Sequence, residues 1–380
     1  MHRFLNGAVF LIFRLIFLRV VRERSSSMKY AEYIYLFPVL VSLFFSGCLI
    51  DWGEDEDFNR EVSSYRKDMR DFVVEIGSKA KLEDPDFIIV PQNGHELLSL
   101  NGAADGASAG EYLSAIDGVG REELFYGYEE DNLETSNDIR EEMLPFLEKV
   151  TNAGKTVLVT DYASDKDKIE TSCAASEALG FVGFASPSRD LDGIPAFPKT
   201  PHNVNNDKID SLKQISNFLY LIDPAGFEGT DEYLEALQST DFDLLIIDAF
   251  GPDGEALTLE QVESLKIKSS SGAKRMVLAY MSIGEAESYR WYFDEEWKTD
   301  PPAFLHEENL DWAGNYKVEY WNEDWKSIIY SGEDSYLQYL LDAGFDGAYL
   351  DIIDAYEYFE EQDNSSSEDS EDNEIISKSW

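Results

Sequence analysis

Gly344–Phe359 reads GFDGAYLDIIDAYEYF, and Met276–Arg290 reads MVLAYMSIGEAESYR. Both share one grammar: a short, apolar, β-prone run ends abruptly in carboxylates flanked by aromatics. Such a run fits a strand buried on both faces. A buried strand that stops at an acid lifts that acid to the rim of its sheet, where it can do chemistry or bind a polar ligand. The same reading carried outward predicts strands near Phe87–Val90, Ile116–Arg121, Val157–Thr160, Phe218–Ile222, Leu244–Ile247, Met276–Tyr280, Val318–Tyr320 and Ala348–Leu350. Helical stretches lie between them, over Tyr65–Ala80, Ile139–Ala153, Lys168–Leu179, Thr230–Gln238, Thr258–Lys266 and Tyr336–Ala343, several closed by a C-cap glycine (Gly154, Gly180, Gly344). Eight β-prone runs alternating with helices predict an α/β fold, a single-domain parallel (β/α)8 or TIM barrel over residues 61–360. Phe181–Ala185 is a surplus run, an extra or edge strand. A doubly wound open sheet is the alternative, but no GxGxxG or GxxxxGK follows any of the strands.

The chain has 380 residues, 43% of them hydrophobic and 13% aromatic, enough for a sizeable core. Its 76 acidic against 31 basic residues give a formal charge of -45, which argues against nucleic acid as a partner, because neutralising phosphates takes Lys and Arg clusters. Neutral or cationic ligands fit better. A solubilising acidic surface explains the charge equally well.

From Met28, Lys29 precedes the apolar run Tyr33–Phe45 and then Ser46-Gly47-Cys48, which resembles a bacterial lipoprotein signal with Cys48 as the acylated residue. The run is shorter than the ~20 residues of a spanning helix. Residues 1–48 are therefore expected to be an export segment with its true start at Met28, giving a membrane-anchored, exported lipoprotein joined through an acidic linker at 49–60. Cys173, left alone, reads as a small core residue. The four His residues show no HExxH-like spacing, so neither a zinc site nor another cofactor is expected. The Pro-, Asn- and Asp-rich stretch 188–210 is the longest irregular link, and residues 361–380 read as a disordered acidic tail.

In a barrel the strand ends converge on one rim, here Gln92 with Asn93, Glu122 with Glu123, Asp161 with Tyr162, Asp223, Asp248, Glu285 with Glu287, Trp321 with Asn322, and Asp351 with Asp354. The expected result is an acidic pocket walled by Tyr280, Tyr162, Trp321 and Tyr126. Carboxylates and aromatic platforms are what sugar hydrolysis needs. Asp223, Asp248 and Asp354 read individually as helix caps or solvated loop acids. Asp351 continues into Ile352-Ile353 without a turn residue and should sit inside the pocket. Of Glu285 and Glu287 only one should face inward, Trp321 and Trp325 fit a core equally well, and Asn93 fits an Asn-Gly turn.

The strings PDFIIVPQNGHELL, REELFYG, VLVTDY, VLAYMSIGEAESYRWYF, GNYKVEYWNEDW and GFDGAYLDIIDAYEYF resemble the extracellular barrel proteins of glycoside hydrolase family 114, the endo-α-1,4-polygalactosaminidases, over about residues 60–360. The resemblance implies a glycosidase acting on an α-linked amino-sugar polysaccharide. It implies an acid pair of Asp351, as nucleophile or base, and Glu122, as general acid, with Glu123 the second register. Asp161, Tyr162, Asp248, Glu285, Gln92, Asn93, Tyr280 and Trp321 would bind substrate. A pair separated by ~5 Å implies retention, and ~7 to 9 Å inversion. The order of the strings is rotated relative to the family, so the chain reads as circularly permuted, its new join at 188–210, with the Phe87–Val90 strand expected beside Ala348–Leu350. A non-catalytic glycan-binding protein and a metal-dependent hydrolase are the other classes consistent with the sequence.

Overall fold

The structure, a computed structural model, describes residues 64–365. The export segment with Cys48, the 49–60 linker and residues 366–380 lie outside the described residues.

Eight parallel strands carry the fold: β1 (Ile88–Pro91), β2 (Gly118–Glu122), β3 (Thr156–Tyr162), β4 (Val182–Ser186), β5 (Phe218–Leu221), β6 (Leu244–Ile247), β7 (Met276–Ser282) and, after three short antiparallel strands, β11 (Gly347–Asp351). Five of them form one parallel sheet in the order β1-β11-β7-β6-β5, and three form another in the order β2-β3-β4. Ile88 faces Gly347 and Pro91 faces Leu350, so strands at opposite ends of the sequence are paired as expected. A single parallel bridge, Gln92 to Gly120, ties the end of β1 to β2. β4 lies beside β5 without a ladder, the rings of Phe184 and Phe218 5.4 Å apart. The hydrogen-bonded ladder is thus interrupted twice.

The helices follow from their apolar spacing. In α1 (Ser64–Glu83) the stripe Met69, Phe72, Val73, Ile76 and Ala80 is fully buried, which lays this helix against β1. The short α2 is Gly110–Ala115, α3 is Asn137–Asn152, α4 is Lys166–Ala178, α5 is Thr230–Gln238 and α6 is Leu259–Leu265. Gly154, Gly180 and Gly344 have φ of 70°, 75° and 77°, the left-handed conformation a C-cap glycine permits. Cys173 is buried in α4, and burial pushes its thiol up to about 12.

The surplus run at 181–185 is β4, which follows helix α4 and the Gly180 cap and forms the edge of the parallel sheet β2-β3-β4, as one of its two readings had it. One expectation is corrected. Val318–Tyr320 is not a parallel strand. Only its first residue is extended, in β10 (Asn315–Val318), which pairs antiparallel with β8 (Glu285–Glu287) and β9 (Leu305–Glu308). This small sheet, followed by α7 (Glu323–Lys326) and α8 (Tyr336–Asp342), is an insertion between β7 and β11. A further helix runs over 356–365, through the first five residues of the expected tail.

Candidate active site

The C-terminal ends of all eight parallel strands open into one cleft of ≈ 610 Å³. Glu122 from β2 and Asp351 from β11 both line it, as do Gln92, Tyr162, Asp248 and Tyr280. Gly120 is required beneath it, since a Cβ there would fall 1.9 Å from the Tyr349 hydroxyl in the sheet interior.

Glu122 is held from three sides. Gln92 Nε2 donates to its Oε2 at 2.7 Å, Asn93 Nδ2 donates to the same oxygen at 3.0 Å, and the Tyr162 hydroxyl donates to Oε1. The Glu122 backbone N–H in turn donates to Asn93 Oδ1 at 3.1 Å. Asp351 accepts from the Tyr280 hydroxyl at 2.9 Å and from its neighbour's N–H at Ile352. Burial, then the charges of Glu122 and Asp354, raise the Asp351 pKa well above the usual carboxylate range. The Tyr162 and Tyr280 hydroxyls are likewise raised, by burial first and then by the carboxylates they touch, so both stay protonated donors.

Three neighbouring strand ends turn through left-handed residues that are not glycine: Asn93 (φ 60°), Glu123 (φ 61°) and Ile352 (φ 59°). A β-branched residue in this conformation is an outlier that the surroundings must hold in place. Each turns the chain immediately after a residue of the cleft, so the strain sits where carboxylates are aimed.

Several expected ligand-binding residues are elsewhere. Asp161 is 0% exposed and outside the cleft; its oxygens accept from the Phe125 N–H at 2.9 Å and from Ser172, and burial, opposed by these bonds, raises its pKa to about 6. Adjacent residues of a strand face opposite sides, so Asp161 and Tyr162 cannot both point inward. Asn93 is a clamp on Glu122 and does not line the cleft. Glu285 is buried away from it and binds Asn309 Nδ2 and Lys317, while Glu287 is the inward-facing member of that pair. Trp321 packs on Tyr65 and Phe359, with centroids 5.2 and 4.6 Å away, in an aromatic cluster outside the cleft. Tyr126 is buried against Ala163 and Ile169. Glu123 bonds Arg189.

The Asp161 environment gives a stability prediction. Its folded pKa lies above the ordinary value, so the folded state binds the extra proton, and this group's contribution weakens as pH rises from about 4 to 6. Asp161→Asn should remove that slope and raise stability at pH 7 by roughly 2–3 kcal/mol relative to wild type. Urea unfolding at pH 4 and pH 7 checks it; equal differences at both pH values would refute it.

Three features of the site were missed by sequence reading. Arg189, following β4, bonds Glu123, Asp131 and the Gly127 carbonyl and stacks 4.4 Å over the Tyr162 ring. Arg290 makes a two-armed pair with Asp248, both contacts 2.8 Å, and donates Nε to Glu287 at 2.7 Å. Burial pushes the Asp248 carboxyl up against the pull of this arginine. Trp291 and Trp312 are 51% and 50% exposed along the cleft wall, and Tyr289 is 64% exposed beside them. An unmatched Arg in an acidic chain and the RWYF and DWAG strings were the available signals.

Residues 212–377 match the model of glycoside-hydrolase family GH114. This segment is similar to that family. It contains Asp351, Tyr280, Asp248 and Arg290, whereas Glu122, Gln92 and Tyr162 come from the part of the chain before it; the fold brings the two groups together in one cleft. An uncharacterized protein of Methanocaldococcus jannaschii is 35% identical over 184 residues, 48% of this chain and 49% of that protein. Uncharacterized proteins of Thermotoga maritima and Deinococcus radiodurans are 39% and 37% identical over 35% and 33% of this chain, and 41% and 37% of their own lengths. The chain thus matches about half or less of the length of these curated relatives. Among the described residues no three His, Cys, Asp or Glu side chains are arranged to hold a metal ion, and no helix is long and apolar enough to cross a membrane.

Proposed function

We propose that the protein is a glycoside hydrolase cleaving an α-linked amino-sugar polysaccharide with the pair Glu122 and Asp351. The observation that carries this reading is the meeting of these two carboxylates, from distant parts of the sequence, in a cleft that also offers half-exposed Trp291 and Trp312. One carboxyl protonates the leaving oxygen, the other attacks or activates water, and the rings stack on sugar faces. Release of reducing ends from a panel of α-linked galactosaminoglycans, partly and fully deacetylated, tests the activity. Retained polysaccharide binding with no release would favour a glycan-binding protein instead.

The resemblance implies Glu122 as proton donor and Asp351 as attacking group. The raised pKa of Asp351 favours the reverse order, because a carboxyl whose ionisation is opposed by burial and by a neighbouring carboxylate is the better proton donor.

Trp291→Ala and Trp312→Ala should each raise KM on polymer by up to about tenfold at nearly constant kcat, since stacking on a ring contributes ~0.5–1.5 kcal/mol of binding. Equal losses in kcat would contradict a platform role.

The same reading includes a closed, circularly permuted barrel. The β1–β11 pairing, the Gln92–Gly120 bridge, the contact of β4 with β5 and the start of the family match at Leu212, directly after the irregular link, support it. A relative whose β11 equivalent pairs with some strand other than the β1 equivalent would overturn it. Export as a lipoprotein through Cys48 completes the proposal; a Cys48→Ala chain that stayed with the membrane fraction would count against it.

A further inference from the structure

Behind Glu122 lies a second cavity of ≈ 350 Å³, between the ends of β1 and β2, helix α3 and the turn after β11. It is walled by Arg121, Glu123, Glu142 and Asp354, with Tyr128, 45% exposed, also lining it. Asn93 belongs to this wall, so the clamp on Glu122 separates the cavity from the catalytic cleft.

Arg121 is the unusual member. It is 7% exposed, its Nε has no hydrogen-bond partner, and among the described residues it makes no ion pair. Its Nη1 faces His95 Nδ1 at 3.3 Å, and burial lowers the His95 pKa to about 4, so that ring is neutral at ordinary pH and leaves the guanidinium without a charged hydrogen-bond partner. A buried guanidinium N–H without an acceptor is costly. Glu123 and Asp354 are close enough to feel Arg121 but do not bond it.

An occupant must therefore accept from Arg121 and donate to carboxylates. A simple anion would meet Glu123, Glu142 and Asp354, and a simple cation would meet Arg121. A sugar hydroxyl does both, and the face of Tyr128 suits a sugar ring.

Resting on the glycosidase reading above, we propose that this cavity is a second carbohydrate site, which holds one sugar ring through the Nη end of the Arg121 guanidinium, the surrounding carboxylates and the Tyr128 ring. It would anchor a chain end or branch beside the cleft without taking part in bond cleavage.

Titration calorimetry of the full chain carrying Asp351→Asn, with a galactosamine oligosaccharide and its N-acetylated form, tests this. Two binding events are expected. Tyr128→Ala should weaken one of them about tenfold, Arg121→Gln should remove the same one, and Trp291→Ala should affect only the other. Tyr128 is exposed, so its replacement carries the test if Arg121→Gln fails to fold. One event untouched by Tyr128→Ala would overturn the site, as would binding of glycine, a zwitterion, lost in the same variants. Reducing-end release by the wild type separates the two ideas: release with a single binding event rejects the second site alone, and two binding events without release reject the hydrolase alone.

Discussion

Asp351→Asn and Glu122→Gln should each lower reducing-end release by about 10²–10⁴-fold, the usual contribution of a positioned acid or base. Neither loss should come from unfolding. The folded state holds Asp351 with its pKa raised by burial and by Glu122, so an ionised carboxylate there opposes folding, increasingly so as pH rises above the ordinary carboxylate value. Removing that charge should leave the Asp351→Asn chain at least as stable as wild type at pH 7, and less active. An inactive variant with a lower melting temperature would mean that Asp351 is structural. Glu122→Gln should in addition lower the Asp351 pKa, because the second cause of its rise is gone.

Azide separates the roles within the pair. A small anion can stand in for either carboxylate of a retaining pair, but the glycosyl azide is inverted where the attacking carboxylate is missing and retained where the acid/base is missing, so an inverted azide from Glu122→Ala and a retained one from Asp351→Ala would fix Asp351 as the acid. The opposite pattern would restore the order that the family resemblance implies. Rescue of neither fits inversion, in which water rather than a carboxylate reaches the sugar.

Much of this arrangement was legible in the sequence. β11 reads as a buried strand ending at an acid, and the structure places Asp351 where that grammar puts it. The pairing of β1 with β11 was implied by the resemblance, from the rotated order of the segments relative to that family. What failed has a physical reason in each case. Alternation along a strand does not say which of two adjacent residues faces the cleft, so Asp161 was read as a ligand although only its neighbour Tyr162 lines it. Glu285 and Glu287 are two apart on β8, where period alone does not separate them, and only Glu287 lines the cleft. A tryptophan in a loop and one in a core look alike in sequence, which exchanged Trp321 for Trp291 and Trp312. β4 is an edge strand, as one of its two readings had it, but Arg189 beyond it went unnoticed.

Asp243→Ala should destabilise the fold by about 3–5 kcal/mol, the usual cost of leaving a buried charge without its partner. Asp243 and Lys268 form an ion pair in which both side chains are 0% exposed. The rest of the aspartate is turned on the passage between β4 and β5: Oδ2 accepts from Asn205 Nδ2 at 2.9 Å and from the Ser216 N–H at 2.7 Å, and its own N–H donates to Asn217 Oδ1 at 2.9 Å. Lys268 reaches the same passage through the Asn205 carbonyl at 3.0 Å. One buried pair therefore ties the passage between β4 and β5, the place where the ladder has no hydrogen bonds, to the start of β6. The double variant Asp243→Leu with Lys268→Met separates two causes of this stability. Apolar replacement of a buried pair is often nearly neutral, so full recovery would mean that the single variant suffers only from its stranded lysine. Recovery that stops short, with the shortfall matched by Asn205→Ala in the wild-type background, would mean that the pair holds the link in place and with it the seam between the two parallel sheets.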